Sequence, residues 1–229
     1  MIKAKTYVLF AVIILSSIFI MSSMAKDKND FPVIIKLPEP KYDSDTSIEE
    51  ALLKRRSHRD YKDRPLTLFE VSQLLWAAQG ITDPRGFRTA PSAGALYPLE
   101  LYIVAGNVKE LVEGIYKYKP RKHELIGILR GDKRIELCNA ALGQPYVRNA
   151  AAVIVIAAVY ERTTAKYGER GIRYVHTEAG HVAQNIYLQS VSLNLGTLVI
   201  GAFSDEGVKK IMKLTDKEQP LYMVPVGGR

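Results

Sequence analysis

The chain has 229 residues, 47% of them hydrophobic and 24% charged, a globular composition that excludes a disordered chain, a collagen-like repeat and a multi-span membrane protein. Its 32 Lys and Arg against 24 Asp and Glu give a formal charge of +8, which leaves nucleic acid, a membrane surface or an anionic small ligand as partners to distinguish. The single cysteine, Cys138, excludes an intramolecular disulfide framework and a cysteine-based zinc site.

Thr6 to Ala25 is an uncharged, mostly apolar stretch behind Lys3 and Lys5, with small residues at Ser23 and Ala25. Residues 1–25 therefore read as a secretory signal peptide or, if uncut, as an N-terminal membrane anchor, since ~20 apolar residues can span a bilayer. Both readings place the domain outside the cytoplasm. Residues 26–45 carry Pro32, Pro38 and Pro40 and read as an extended tether. The folded domain is expected over 46–229.

Ser47-Ile48-Glu49-Glu50 and Thr67-Leu68-Phe69-Glu70 are capping boxes that open two helices. Ile48, Leu52 and Leu53 form the apolar stripe of the first; Val71, Leu74, Leu75 and Ala78 repeat at helical spacing in the second, up to Gly80. Leu99 to Ala105 predicts a strand, and Ile115–Tyr118 with Leu125–Leu129 a hairpin around Pro120. Arg134 to Leu142 predicts a helix, and the unbroken apolar run Ala152 to Val159 a buried strand. The longest helix is expected over Tyr174 to Asn194, stopped by Gly196. A short strand at Thr197–Ile200, a small helix capped by Asp205 and a last strand at Tyr222–Val226 follow. This order points to an α+β fold with a central sheet flanked by helices. A doubly wound α/β fold lacks its G-x-G-x-x-G fingerprint here, and no P-loop motif occurs.

Four segments could carry chemistry. Arg55-Arg56-Ser57-His58-Arg59 packs three guanidiniums and a hydroxyl into five residues, and guanidinium forks match phosphate oxygens. Taken alone, the segment reads more simply as a solvated basic turn. Pro91-Ser92-Ala93-Gly94, in a stretch closed by Pro98, is a stiff loop of small residues over which a flat ligand could lie. Gly201, after Ile200, could turn a free backbone N–H to a ligand. Lys166-Tyr167, in a loop expected over Glu161 to Arg173, could transfer protons if their pKa values were lowered. No metal site is expected: His176 and His181 are five apart and do not share a helix face, and HExxH is absent. A stacking platform for single-stranded nucleic acid would need tyrosines interleaved with basic residues along a strand, and only Tyr116-Lys117-Tyr118-Lys119 approaches one.

Taken together and in order, RRSHRDY (55–61), APSAGALYPLELYIV (90–104), KYGERGIRY (166–174), EAGHVAQNIYLQS (178–190), LGTLVIGAF (195–203) and PLYMVPVG (220–227) resemble the nitroreductase family of flavoenzymes, and within it the SagB-type branch that contains azoline oxidases. The resemblance implies an α+β homodimer with a mixed central sheet and FMN at the subunit interface. It places Arg55, Ser57 and Arg59, with Arg56 as a neighbour, in a phosphate clamp. Pro91, Ser92 and Ala93, with Gly94 beside them, match a loop that covers FMN from the other subunit. Ile200 and Gly201 match the backbone beside the isoalloxazine ring, and Arg229 a basic position near the phosphate. Lys166 and Tyr167 match a pair that azoline oxidases use for proton removal. The implied activity is hydride transfer through FMN, with NAD(P)H as a candidate donor and a small organic molecule as substrate. Quinone or nitro-compound reduction and flavin binding without turnover are the alternatives. On this reading the +8 no longer argues for nucleic acid.

Overall fold

Ala152–Val159 is apolar throughout because both of its faces are covered. In the computed structural model, which describes Phe31 and residues 33–229, Ile154, Ile156 and Ala158 enter one core, while Val153, Val155 and Ala157 enter another on the opposite face. The period of two persists but is invisible in sequence, since neither face meets water. This strand, β5, lies within a seven-stranded sheet. The others are β1 (Ile34–Lys36), β2 (Leu99–Ala105), β3 (Gly114–Lys119), β4 (Glu124–Arg130), β6 (Leu195–Thr197) and β7 (Glu218–Gly228). The order is β1-β4-β3-β2-β5-β7-β6, and each ladder is antiparallel.

The helices are α1 (Ile48–Lys54), α2 (Leu68–Gln79), α3 (Arg134–Ala140), α4 (Pro145–Arg148), α5 (Glu161–Tyr167), α6 (Arg170–Ser192) and α7 (Asp205–Met212). Val71, Leu74 and Leu75 of α2 pack with Val175, Val182 and Ile186 of α6 over one face of the sheet. Leu137 of α3 and Val208 and Met212 of α7 close the other. The fold is α+β, as expected. The Thr67–Glu70 capping box forms in full, and at α1 the Ser47 side chain accepts the Glu50 N–H.

Several elements differ from the sequence reading. The stretch read as a tether contributes β1, which pairs with β4, and Phe31 and Leu37 are buried. An edge strand between prolines has the same local signature as a tether; the partner strand decides. On α1 the apolar stripe points outward: Ile48, Leu52 and Leu53 are 56%, 54% and 73% exposed, and the small residue Ala51 is buried instead. Lys166-Tyr167 ends a helix rather than lying in a loop, and α6 starts at Arg170. Asn194, at φ 53°, makes the turn after α6, so Gly196 is free to lie inside β6. That strand ends at Thr197, and Ser204 rather than Asp205 caps α7. The predicted signal peptide or anchor, residues 1–25, lies outside the described residues, among which no helix is long and apolar enough to cross a membrane.

A charged network ties α5 to the sheet. Lys117 of β3 lies 2.6 Å from Glu218 of β7 and 3.2 Å from Glu100 of β2. Glu218 also accepts the Tyr102 hydroxyl at 2.7 Å and the Thr215 N–H and hydroxyl at 2.9 Å. Glu100 in turn binds Arg162 of α5, which donates to the Tyr97 carbonyl at 3.1 Å. Burial pushes the Glu218 carboxyl up, but Lys117, Thr215 and Tyr102 outweigh it and hold the group at about 2. An acid whose folded value lies below its unfolded one stabilises at higher pH and loses that stabilisation as pH falls toward the folded value. Acid unfolding should therefore draw on Glu218 from about pH 4.5 down to about 2, and Glu218→Gln should flatten that part of the curve. Lys117→Met, which strands the buried carboxylate, should cost about 3 kcal/mol or more in urea unfolding at neutral pH.

Candidate functional site

The arginine-rich segment leaves the C-terminus of α1 and crosses the end of the sheet at β6 and β7. The His58 N–H donates to the Thr197 carbonyl at 2.9 Å, and the Lys62 N–H to that of Gly228 at 3.0 Å. Between these anchors the chain lies against two glycines, Gly196 and Gly227, which face each other across the β6–β7 ladder. A Cβ on Gly227 would fall 2.6 Å from Tyr61 Cγ, and one on Gly196 3.2 Å from His58 Cβ. The requirement is for space: at Gly227 the contact is closer than real Cβ atoms allow, and at Gly196 it is tight enough that His58 would have to shift.

From that platform the side chains fan out. The Arg55 guanidinium stacks 5.2 Å from the centre of the Tyr187 ring, and Arg59 lies 5.9 Å over Tyr146. Ser57 Oγ and Tyr187 Oη are 3.0 Å apart, and the same Tyr187 oxygen accepts the Val199 N–H at 2.9 Å. Tyr187 thus joins the arginine segment to the strand end that leads into Gly201. Ile200 exchanges both backbone hydrogen bonds with Met223, at 2.8 and 2.9 Å. Gly201 is exposed, and its N–H has no acceptor among the described residues. Gln144 pins the next residue, donating to the Ala202 carbonyl at 2.9 Å, and accepts the Tyr146 hydroxyl.

Cations outnumber carboxylates in this corner: Arg55, Arg59 and Arg229 against Asp60. Among the described residues no carboxylate pairs with Arg55, Arg59 or Arg229. Burial, and then the Arg229 charge, lower the His58 imidazole below its usual range. Burial, followed by Tyr146 and Tyr187, raises the Tyr61 phenol. His58 Nε2 and Tyr61 Oη are buried without a hydrogen-bond partner. Unpaired cations, aromatic faces, a free backbone N–H and orphaned polar atoms suit an anionic, planar ligand. Arg56 is placed differently: it donates to the Leu53 and Arg55 carbonyls at 3.0 and 2.7 Å, closing the end of α1.

A second cluster forms at the Pro91–Gly94 loop. Gly94 has φ 62°, and a Cβ there would fall 2.8 Å from Tyr167 Oη and 3.1 Å from Lys166 Nζ. The loop and the lysine–tyrosine pair are therefore in contact, although more than 70 residues separate them in sequence. Lys166 Nζ lies 5.4 Å from the Tyr167 ring, whose edge meets Tyr174 at 5.2 Å. The two clusters stay apart within one chain. Glu178, linked through Gln79 and Arg88 to Tyr97 at the end of the loop, and Tyr187, which meets Ser57, are separated by about 13 Å along α6 at 1.5 Å per residue. Tyr187, Tyr146 and Gln144 were not among the predicted site residues. The available signal was a hydroxyl-bearing aromatic beside buried Ile186 on the long helix, which periodicity alone reads as core.

This fold, with a cationic corner at one end of a long helix and a small-residue loop nearer its start, defines a class. A nitroreductase family model matches residues 52–228, and the chain belongs to the nitroreductase family. It is 51% identical over 195 residues to a nitroreductase-type protein of Methanocaldococcus jannaschii, covering 85% of this chain and 96% of that one. It is 26% identical over 170 residues to a microcin B17-processing protein of Escherichia coli, covering 66% of this chain and 58% of that one. A nitroreductase-type crystal structure from Anabaena variabilis superposes with a TM-score of 0.75 at 32% identity, over 86% of this chain and 42% of that chain. The E. coli microcin synthetase complex with a truncated precursor bound gives a TM-score of 0.66 at 25% identity, over 84% of this chain and 77% of that chain. Family membership is consistent with flavin-dependent oxidoreduction.

Tyr187→Phe removes the hydroxyl that serves both Ser57 and the Val199 N–H. It should destabilise the protein by about 1–3 kcal/mol, the cost of leaving a partly buried donor unpaired, as measured by urea unfolding.

Proposed function

We propose that the protein is an FMN-dependent oxidoreductase of SagB type that transfers hydride between a donor, with NAD(P)H the candidate, and a small organic substrate. The observation that carries this reading is the set of arginines without carboxylate partners, Arg55, Arg59 and Arg229, gathered near the exposed Gly201 backbone. FMN, when bound, supplies the hydride-accepting centre, and the protein supplies position and electrostatics. Arg55 and Arg59 offer permanently charged forks to a phosphate dianion, with Ser57 adding a hydroxyl. The Gly201 N–H is free to hydrogen-bond the edge of a flat ring. Pro91, Ser92, Ala93 and Gly94 present small side chains that let a ring lie close.

We assign the completion of this site to a second copy of the chain. Two features favour a homodimer: the loop cluster is remote from the arginine corner of its own chain, and the apolar stripe of α1 has no partner among the described residues. Within the oxidoreductase reading, azoline-type ring oxidation is favoured over quinone or nitro reduction. It draws support from the likeness to the microcin-processing protein and from the contact of Lys166 and Tyr167 with Gly94. These two residues would move the proton that accompanies hydride loss from the substrate.

Purified protein supplied with FMN should be yellow, with flavin absorbance that bleaches on reduction; protein that takes up no FMN overturns the reading. Arg55→Ala should weaken FMN binding about 10- to 100-fold, the loss of a charge-assisted hydrogen bond, and unchanged affinity would remove Arg55 from the clamp. Replacing Lys166 by Ala and Tyr167 by Phe together should leave flavin reduction by the donor intact and suppress substrate turnover. If neither rate changes, the pair is structural.

A further inference from the structure

We propose that Tyr97 is a positioning residue: held at its N–H, carbonyl, hydroxyl and ring, it clamps the Pro91–Gly94 loop to α5 and so fixes the seat of Lys166 and Tyr167. The inference deepens the FMN reading and rests on it for the roles of the loop and the pair, but the clamp stands on its own geometry.

The loop needs holding. Gly94, Ala95 and Tyr97 adopt φ values of 62°, 53° and 47°, the left-handed region that disfavours residues with a Cβ. Two of the three carry one. A segment in that state keeps its shape only where its surroundings over-determine it.

Tyr97 is where they do so. Its N–H donates to Ser92 Oγ at 2.9 Å, which closes the loop on itself. Its carbonyl accepts Arg162 Nη1 at 3.1 Å, and its hydroxyl accepts the Arg88 backbone N–H at 3.2 Å. The Arg88 guanidinium covers the ring at 4.4 Å and is itself fixed, donating from Nη1 to Gln79 Oε1 of α2 at 2.6 Å. The strained residue is thus tied to its own loop, to the chain that enters the loop, and to α5.

Arg162 gives the tie to α5 its direction. One amino group of its fork serves the Tyr97 carbonyl, and the other binds Glu100 of β2. A guanidinium presents two such donors in a rigid fork, which an ammonium does not. Just beyond Tyr97 the Val159 N–H donates to the Pro98 carbonyl at 2.9 Å, and Leu99 pairs with Ala158. The loop exit is therefore zipped to the end of β5, from which α5 departs. Arg162 precedes Lys166 on that helix by four residues, about one turn. Loop and helix touch at two points. Tyr97 meets Arg162, and Gly94 meets Lys166 and Tyr167, where a Cβ would fall 3.1 Å from Nζ and 2.8 Å from Oη. The two points lie three residues apart on the loop, so a shift at Tyr97 is passed to Gly94.

The test is Arg162→Met in the full-length chain without flavin, which keeps an aliphatic stem and removes the fork. The readout is the nuclear Overhauser contact between the Gly94 α-protons and the Tyr167 ring, in protein labelled at glycine and tyrosine. Tyr167 Cε2 would stand 3.5 Å from a Gly94 Cβ, so the wild type should show that contact strongly, and its absence there would overturn the proposal. Arg162→Met should lose most of the contact's intensity. Amide exchange at Ala95, Leu96 and Tyr97 should speed up about tenfold, the effect of losing one hydrogen bond. A retained contact, or exchange that rises across β2 and β5 while residues 95–97 stay protected, would show a packing role and overturn the proposal. Should Arg162→Met fail to fold, Ser92→Ala, which frees the Tyr97 N–H, decides: loss of the contact supports the clamp and its retention overturns it. FMN titration of the same proteins separates the two readings. Wild-type protein that shows the contact, loses it in Arg162→Met and binds no FMN would sink the functional reading and leave the clamp intact. FMN binding with a contact that Arg162→Met does not disturb would do the reverse.

Discussion

Two absent side chains shape the candidate site. Gly196 and Gly227 face each other across the β6–β7 ladder, and the flat patch they leave is where Tyr61 and His58 lie. A Cβ on Gly227 would force Tyr61 away from the sheet, and one on Gly196 would crowd His58. The basic segment would then lose its two backbone anchors, and Arg55, Ser57 and Arg59 would lose their common register with the strand end at Ile200 and Gly201. The cationic corner is thus a consequence of backbone packing, with the charge placed by an uncharged contact.

The long helix α6 divides labour along its length. Toward its C-terminal end Tyr187 takes up the arginine segment and the Val199 N–H; about two and a half turns earlier Glu178 meets Gln79, whose partner Arg88 lies over Tyr97 after the small-residue loop. A rigid helix fixes the spacing of the two clusters without bringing them together. The Lys117–Glu218–Tyr102 network does the same for α5, carrying the fixed geometry of the sheet through Glu100 and Arg162 to the helix that ends in Lys166 and Tyr167. Buried charge in this protein is spent on placing loops and short helices that the two apolar cores do not reach.

Local patterns were legible where local forces decide. The Thr67–Glu70 capping box forms because its donors and acceptors lie within one turn, and β5 is bounded as its apolar run is bounded. The stripe Ile48–Leu52–Leu53 had the right period for α1 but not the face, because the period says that a side will be apolar and not what will cover it. The strand at Ile34–Lys36 had no signal apart from its partner β4, and the end of α6 was set by Asn194 rather than by the glycine two residues on. Lys166-Tyr167 read as loop because α5 is only two turns long and is held by Arg162 and Glu100, residues that no window of that size contains together.

By itself the sequence determined the α+β class, the strands of the sheet centre, the basic segment and the family, because these rest on composition, on periodicity and on motifs in order along the chain. Only the tertiary structure decided which of those motifs touch. Gly94 meets Lys166 and Tyr167, and Ser57 meets Tyr187. Each of these depends on the register of strands and the facing of helices far apart in the chain. Such long-range pairings are fixed by the packing of whole elements, and no single stretch of residues carries them.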